Sequence, residues 1–217
     1  IADYAHKQKV VLKGDIPIGI YRYGCDAWVK PTLYNMDQQA GAPPDNFAVK
    51  GQNWGFPTYN WNEMSKDNDS WWRRRFDQMS NYFDAFRIDH ILGFFRIWSI
   101  PMDAVEGILG RFVPAVPVDI SEFHYLDISY NHDRYCKPFI TYGSLENIFN
   151  DQAGEIKEKY LTDISEENYE LKEFVNTQAK VAEYFKNAPD EKIQNGLFDL
   201  ISNVILFEEE NSNGQKF

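Results

Sequence analysis

The chain has 217 residues, with 22 basic side chains against 33 acidic ones and a formal net charge of −11 at pH 7. This length can bury a sizeable core in one or two domains, and an apolar content of 43% excludes a wholly disordered chain. The acidic balance argues against nucleic acid as a partner, because a phosphate backbone requires a basic face; no apolar run approaches the roughly 18 residues that a membrane span needs.

The two cysteines, Cys25 and Cys136, lie far apart and form no Cys-x-x-Cys pattern. They are expected as free thiols in a reducing, cytoplasmic compartment, not as a disulfide or zinc framework. Residues 1–101 carry 12 bases and 11 acids, whereas residues 102–217 carry 10 bases and 22 acids. Every tryptophan (Trp28, Trp54, Trp61, Trp71, Trp72 and Trp98) falls in the first part. Concentrated aromatics with balanced charge suit a binding cleft, and the acidic remainder suits solvated helices. Ile1 opens inside an expected helix, so the chain is expected to be a piece of a longer protein.

In chain order, residues 2–8 read as the end of a helix and Val10 to Asp15 as a short buried strand, with Val11, Lys13 and Asp15 on one face. Residues 16–60 are dense in Gly, Pro, Asn and Asp, and their many aromatics favour an ordered, functional loop over disorder. Asp69-Ser70 predicts a helix cap, with the helix running to about Tyr82; Trp72, Phe76, Met79 and Phe83 form one face and are expected to be core. Residues 84–90 predict a strand, with Phe86 and Ile88 on one face and Ala85, Arg87 and Asp89 on the other. Strand, loop, helix, strand is a βαβ unit, which implies a parallel sheet. Beyond Met102, helices are expected at 102–110, 144–160, 166–187 and 190–201. Val204 to Phe207 reads as a strand and Asn211 to Gly214 as a hairpin turn.

Both early strands end in a carboxylate, Asp15 and Asp89, and in (β/α) barrels the catalytic groups sit at such C-terminal strand ends. Arg87 lies one alternation before Asp89, so a guanidinium can keep that carboxylate ionised and oriented, as a nucleophile requires. Arg-x-Asp-His alone is a weak signal, since most such pairs are structural salt bridges. Abundant Trp beside carboxylates and amides points to carbohydrate, since rings stack on sugar faces and polar groups bind hydroxyls. His6, His124 and His132 have no metal-ligand spacing, Asn131-His132-Asp133 lacks a calcium-loop framework, and neither metal nor cofactor is expected. Arg73-Arg74-Arg75 is expected as a solvated helix face.

Four segments then resemble one family: Gly14-Asp15-Ile16-Pro17-Ile18, Ala40-Gly41-Ala42-Pro43-Pro44-Asp45, Gly51 to Tyr59 (Gly-Gln-Asn-Trp-Gly-Phe-Pro-Thr-Tyr) and Phe86-Arg87-Ile88-Asp89-His90. They resemble the 4-α-glucanotransferases, or amylomaltases, of glycoside hydrolase family 77, and Phe94 to Pro101 is similar to the large branch of Bacteroidetes-type bacteria and plant cytosol. The resemblance implies an α/β fold: part of a (β/α)8 TIM barrel at 1–101, followed by a mostly helical insertion at 102–217. It implies a retaining double displacement on malto-oligosaccharides and α-1,4-glucans. In that reading Asp89 is the nucleophile and Arg87 orients it. Asp15, His90, Trp54, Asp45 and Asn53 serve the substrate.

A retaining site needs a second carboxyl roughly 5 Å from the nucleophile. The family places that acid in a Glu-Asp-Leu-Gly motif, which these residues lack. Glu63, Glu106 and Glu122 have no strand-end context, and Glu106 reads as an ordinary helix residue. The chain alone is therefore expected to be inactive, and a partial barrel with open strand edges is expected to favour a homodimer. An α-glucan hydrolase of the α-amylase clan and a non-catalytic carbohydrate-binding fragment remain as alternative readings.

Overall fold

The computed structural model describes residues 1–208, which divide into two units: Ile1–Met102 with Gly110–Pro114, and Asp103–Leu109 with the residues from Ala115 onward. In the first unit the helices are α1 (Ala2–Lys7), α2 (Cys25–Val29), α3 (Trp61–Ser65) and α4 (Ser70–Ser80). Its strands are β1 (Lys13–Ile16), β2 (Tyr34–Asn35), β3 (Gln38–Ala42), β4 (Gln52–Asn53), β5 (Thr58–Tyr59), β6 (Ala85–Ile88), β7 (Ile97–Pro101) and β8 (Arg111–Val113).

The expected βαβ unit is present. Strands β1 and β6 pair in parallel, with Lys13 opposite Ala85 and Asp15 opposite Arg87, and α4 lies between them in sequence. Along β1 the side chains alternate: Lys13 and Asp15 are exposed, Gly14 and Ile16 buried. Gly14 is required by packing, because a Cβ there would come within 2.5 Å of the Phe83 ring. The strand starts later than expected. Lys9 turns through φ 59°, the Val10 amide donates to the Ala5 carbonyl (2.9 Å), and Val10 and Val11 stay exposed. Pairing begins only where the Asp84 amide donates to the Leu12 carbonyl (2.9 Å). No closed barrel forms among the described residues; the other sheets of this unit, β2–β5 and β4–β3–β7–β8, are antiparallel.

The segment between Pro17 and Asn60 is therefore not one open loop but four short strands and a helix. Trp72 is 5% exposed and packs between Phe94 (4.8 Å between ring centroids), Trp71 (5.0 Å) and Tyr59 (5.4 Å), so it is core as expected; Phe76 and Met79 pack half-buried against the same cluster, and Phe83, past the end of α4, is half-buried outside it. The Tyr59 hydroxyl is pushed up to about 12 by burial. Two local expectations change. Asp69 sits at φ 55° and its side chain caps nothing; Asp67 instead accepts from the Ser70 amide (3.0 Å) and hydroxyl (2.6 Å). Arg75 leaves the solvated face and lies over the rings of Trp71 and Trp72 at 5.1 and 4.9 Å.

In the second unit, α5 (Ile120–Tyr125) and α6 (His132–Tyr135) precede β9 (Ile140–Thr141), α7 (Tyr142–Phe149), α8 (Ala153–Tyr160), β10 (Leu161–Asp163), β11 (Asn168–Leu171), α9 (Gln178–Phe185) and α10 (Glu191–Ile201). Its core gathers Leu145, Phe149, Tyr160, Val181 and Leu197. Fully buried Gln178 is satisfied on both ends: it accepts from the Val105 and Glu106 amides and donates to Glu106 and Ser202. The helices at 144–160 and 190–201 are found, the former broken near Asn150, where φ is 54°.

Three expectations for this unit are corrected. The helix at 166–187 is strand β11 followed by α9, because Tyr169 and Leu171 bury with period two and pair into an antiparallel β10–β11–β9 sheet. At 102–110 only Gly107–Leu109 forms a helical turn, and Glu106 lies outside it. Residues Val204 to Phe207 form no strand; the Ile205 and Leu206 amides both donate to the Tyr135 carbonyl. The expected turn at Asn211 to Gly214 lies outside the described residues.

Two outcomes are expected for this chain. Trp72→Ala should lower the unfolding free energy by about 3–5 kcal/mol, read from chemical denaturation, since a large buried ring leaves a cavity. Asp84 should make stability pH-dependent. Its carboxylate accepts from the Leu12 amide (2.9 Å) and bonds to His6 Nε2 (2.7 Å), which hold its pKa below the usual carboxylate range. The stabilisation is present above the unfolded carboxylate pKa and is lost as pH falls through the lower folded value. Asp84→Asn should therefore be less stable than the parent at neutral pH, with the difference vanishing well below pH 4.

Candidate active site

The C-terminal ends of β1 and β6 bring three charged side chains together. Period-two alternation points Asp15, Arg87 and Asp89 to the same side, and parallel register sets Asp15 opposite Arg87. Arg87 donates side-on to Asp15: Nε to Oδ1 at 2.7 Å and Nη2 to Oδ2 at 2.6 Å. The same Nη2 lies 3.6 Å from Asp89 Oδ1. These hydrogen bonds from Arg87 to Asp15, and the attraction of both carboxylates, raise the Arg87 pKa above its ordinary value. All three side chains are more than half exposed, so the pairing contributes orientation more than stability.

After Asp89 the chain turns sharply, with His90 at φ 50° and ψ 55°. A left-handed, non-glycine residue costs about 1–2 kcal/mol. Here it places Asp89 and His90 side by side on the edge of an open cleft of about 770 Å³. One wall of the cleft is Pro17 to Tyr23 and the other Trp54 to Phe56. The Trp54 ring meets His90 edge-on at 5.0 Å and stacks on Phe56 at 5.7 Å, while its indole nitrogen donates to Gln52 Oε1 (3.0 Å).

The predicted site residues therefore separate into groups. Asp89, His90 and Trp54 line the cleft, and Arg87, with Asp15 opposite it, stands two residues before Asp89. Asp45 and Asn53 do not line it. The Asp45 carboxylate accepts from the Phe47 and Ala48 amides (2.8 and 2.6 Å) and so folds its own loop. Asn53 Oδ1 accepts from the Gly55 amide at 2.9 Å, holding the turn that carries Trp54.

Sequence reasoning missed Arg22. It is 7% exposed and reaches three main-chain carbonyls: those of Met36 (2.6 Å), Gln38 (2.6 Å) and Gly55 (3.2 Å). Burial lowers its pKa, the partial compensation coming from nearby Tyr23 and Asp37. A signal existed in its setting as the sole cation between Lys13 and Lys30, flanked by two tyrosines.

Among the described residues, no group of three or more His, Cys, Asp or Glu side chains is placed to hold a metal ion. The glutamates set aside on sequence grounds have structural partners: Glu63 pairs with Lys66, Glu106 accepts from Gln178 (2.9 Å), and Glu122 accepts from the Asp119 amide (3.2 Å) in a capping box.

The family model described as 4-alpha-glucanotransferase matches residues 1–200. The chain is 46% identical over 213 residues to the 4-alpha-glucanotransferase DPE2 of Oryza sativa subsp. japonica, covering 94% of this chain and 22% of that protein. It is 40% identical over 116 residues to the 4-alpha-glucanotransferase of Chlamydia pneumoniae, covering 54% of this chain and 21% of that protein. Among solved structures, the amylomaltase from Streptococcus agalactiae in complex with acarbose is similar with a TM-score of 0.50 at 20% identity, over 91% of this chain and 47% of that one. The chain thus spans about a fifth of the length of these curated relatives and shares a mixed α/β fold with the solved amylomaltase. With a family model matched across both units, this chain belongs to the 4-alpha-glucanotransferases of glycoside hydrolase family 77.

Proposed function

We propose that this chain is the nucleophile-bearing part of a retaining 4-α-glucanotransferase that moves α-1,4-glucan segments between malto-oligosaccharides. One observation carries the reading. Asp89, an exposed carboxylate at a strand end, lies 3.6 Å from the Arg87 guanidinium and lines a cleft walled by Trp54 and His90. An ionised, oriented carboxylate beside a ring that can stack on a sugar is what attack at an anomeric carbon requires.

In the proposed reaction, a glucan lies along the cleft with one sugar over Trp54. The Asp89 carboxylate attacks the anomeric carbon as the bond to the leaving oxygen breaks, and that oxygen takes a proton from a carboxylic acid. A β-glucosyl ester forms on Asp89. The 4-hydroxyl of an acceptor glucan then loses its proton to the same acid, now a base, and displaces Asp89, restoring the α-linkage. Arg87 keeps Asp89 ionised and turned toward the cleft, while Asp15 fixes Arg87 and, with His90, hydrogen-bonds the sugar. Asp45 and Asn53 act through the loops that they hold. The acid is supplied from elsewhere in the parent chain, because Glu63, Glu106 and Glu122 are engaged in other contacts. The part of the first unit holding β1, α4 and β6 is the central portion of a (β/α)8 barrel, and the second unit is an insertion in its sequence.

In the full-length enzyme, Asp89→Asn should abolish transfer, since an amide cannot form the glycosyl ester. Production of glucose and longer chains from maltotriose is the assay, and substantial activity that persists after deamidation is excluded would refute the assignment. The 217-residue chain alone should show no turnover above background on maltotriose. General acid catalysis contributes a factor of about 10² to 10⁴, and the chain lacks it. Turnover like the parent's would place the acid within these residues.

A further inference from the structure

The cleft is an open groove between two irregular segments, so its width depends on whatever ties those segments together. Arg22 belongs to the first wall, and its side chain runs to the second. Its three hydrogen bonds, at 2.6, 2.6 and 3.2 Å, end on the carbonyls of Met36, Gln38 and Gly55. Met36 and Gln38 flank the turn joining β2 to β3, and Gly55 follows Trp54 directly. Burying a guanidinium against neutral carbonyls carries a desolvation cost that a surface arginine avoids. A planar fork whose donors diverge can reach three separate main-chain groups, which a lysine ammonium cannot do in that geometry.

Gly55 is gripped on both sides, through the two peptide units that meet at its Cα. Its amide donates to Asn53 Oδ1 at 2.9 Å and its carbonyl accepts from Arg22 Nε at 3.2 Å. Gly55 has φ +75°, so the chain turns there only in a conformation that glycine adopts readily, and the two bonds fix the peptide planes on either side of it. Trp54 directly precedes Gly55, and its ring abuts His90, the neighbour of Asp89.

We propose that Arg22 is a positioning residue for the glucan cleft. It clamps the Trp54–Gly55 turn to the opposite wall, setting the gap that a sugar ring must fill between Trp54 and Tyr21–Tyr23. This rests on the glucanotransferase reading above. Because the Arg22 guanidinium is used on main-chain carbonyls and not on Asp89, its loss acts on substrate binding, with little effect on bond cleavage.

The test uses the full-length enzyme. In an Asp89→Asn background, maltoheptaose binding is measured by calorimetry with Arg22 intact, with Arg22→Lys and with Asn53→Ala, the last releasing Gly55 from its other side. Each added substitution should weaken binding about tenfold, as expected when interactions that hold a binding wall are removed. In the active enzyme, Arg22→Lys should raise KM for maltotriose about tenfold with kcat within threefold, the pattern of lost uniform binding. Unchanged affinity in a folded Arg22→Lys variant, even one that melts earlier, would overturn the clamp. Should that variant not fold, unchanged affinity in Asn53→Ala would do so. A fall in kcat at constant KM would also overturn it. No maltoheptaose binding to Asp89→Asn with Arg22 intact would overturn the glucan reading itself, and the clamp with it.

Discussion

The pairing of Asp15 with Arg87 across parallel strands is the constraint on which the rest of this site depends. The two residues are 72 positions apart, and only parallel register puts them opposite each other. Parallel strands cannot be joined by a tight turn, so the chain between them must leave the sheet, form α4, and return. That excursion is where the cleft is made. The residues from Pro17 to Phe56 emerge from the end of β1 and form both walls, and Asp89 closes the group at the end of β6. The side-on geometry also uses Nε and Nη2 on Asp15 while the same Nη2 lies 3.6 Å from Asp89, so one arginine serves two carboxylates of different standing. The first holds the cation; the second faces the cleft.

Period-two alternation made this arrangement legible in the sequence. Lys13-Gly14-Asp15 and Arg87-Ile88-Asp89 announce their faces without reference to the rest of the chain, and the helical spacing of Trp72, Phe76 and Met79 announces the core face of α4. Elements whose character depends on distant partners were less legible. Tyr169 and Leu171 alternate over only four residues amid glutamates, and the pairing that makes them a strand comes from both β10 and β9. The apolar run at Val204 to Phe207 has strand composition but spends its amides on a single carbonyl of Tyr135. Val10 and Val11 are exposed because the closing turn of α1 delays pairing to Leu12.

The candidate site divides in the same way. Residues that act through their own side chains at strand ends, Asp15, Arg87 and Asp89, follow from alternation. Those that act by holding main chain do not. Arg22 binds only carbonyls, Asn53 binds an amide two residues on, and Asp45 turns its own loop; each role depends on backbone conformation that no side-chain pattern encodes. Motif resemblance marked Asp45 and Asn53 as substrate residues, and the structure gives them contacts one step removed from the cleft. Short polar side chains that satisfy nearby backbone groups are a common means of shaping turns.

The proposed reaction passes through a covalent bond between Asp89 and the transferred sugar. The most direct measurement is to trap that species: react the full-length enzyme with a fluorinated glucosyl fluoride that slows breakdown of the glycosyl ester, digest it, and locate the added mass by peptide sequencing in the spectrometer. One glucosyl adduct is expected, on the peptide containing Arg87 to His90 and assigned to Asp89. A stable adduct on any other carboxylate, with Asp89 unmodified, would contradict the proposed reaction.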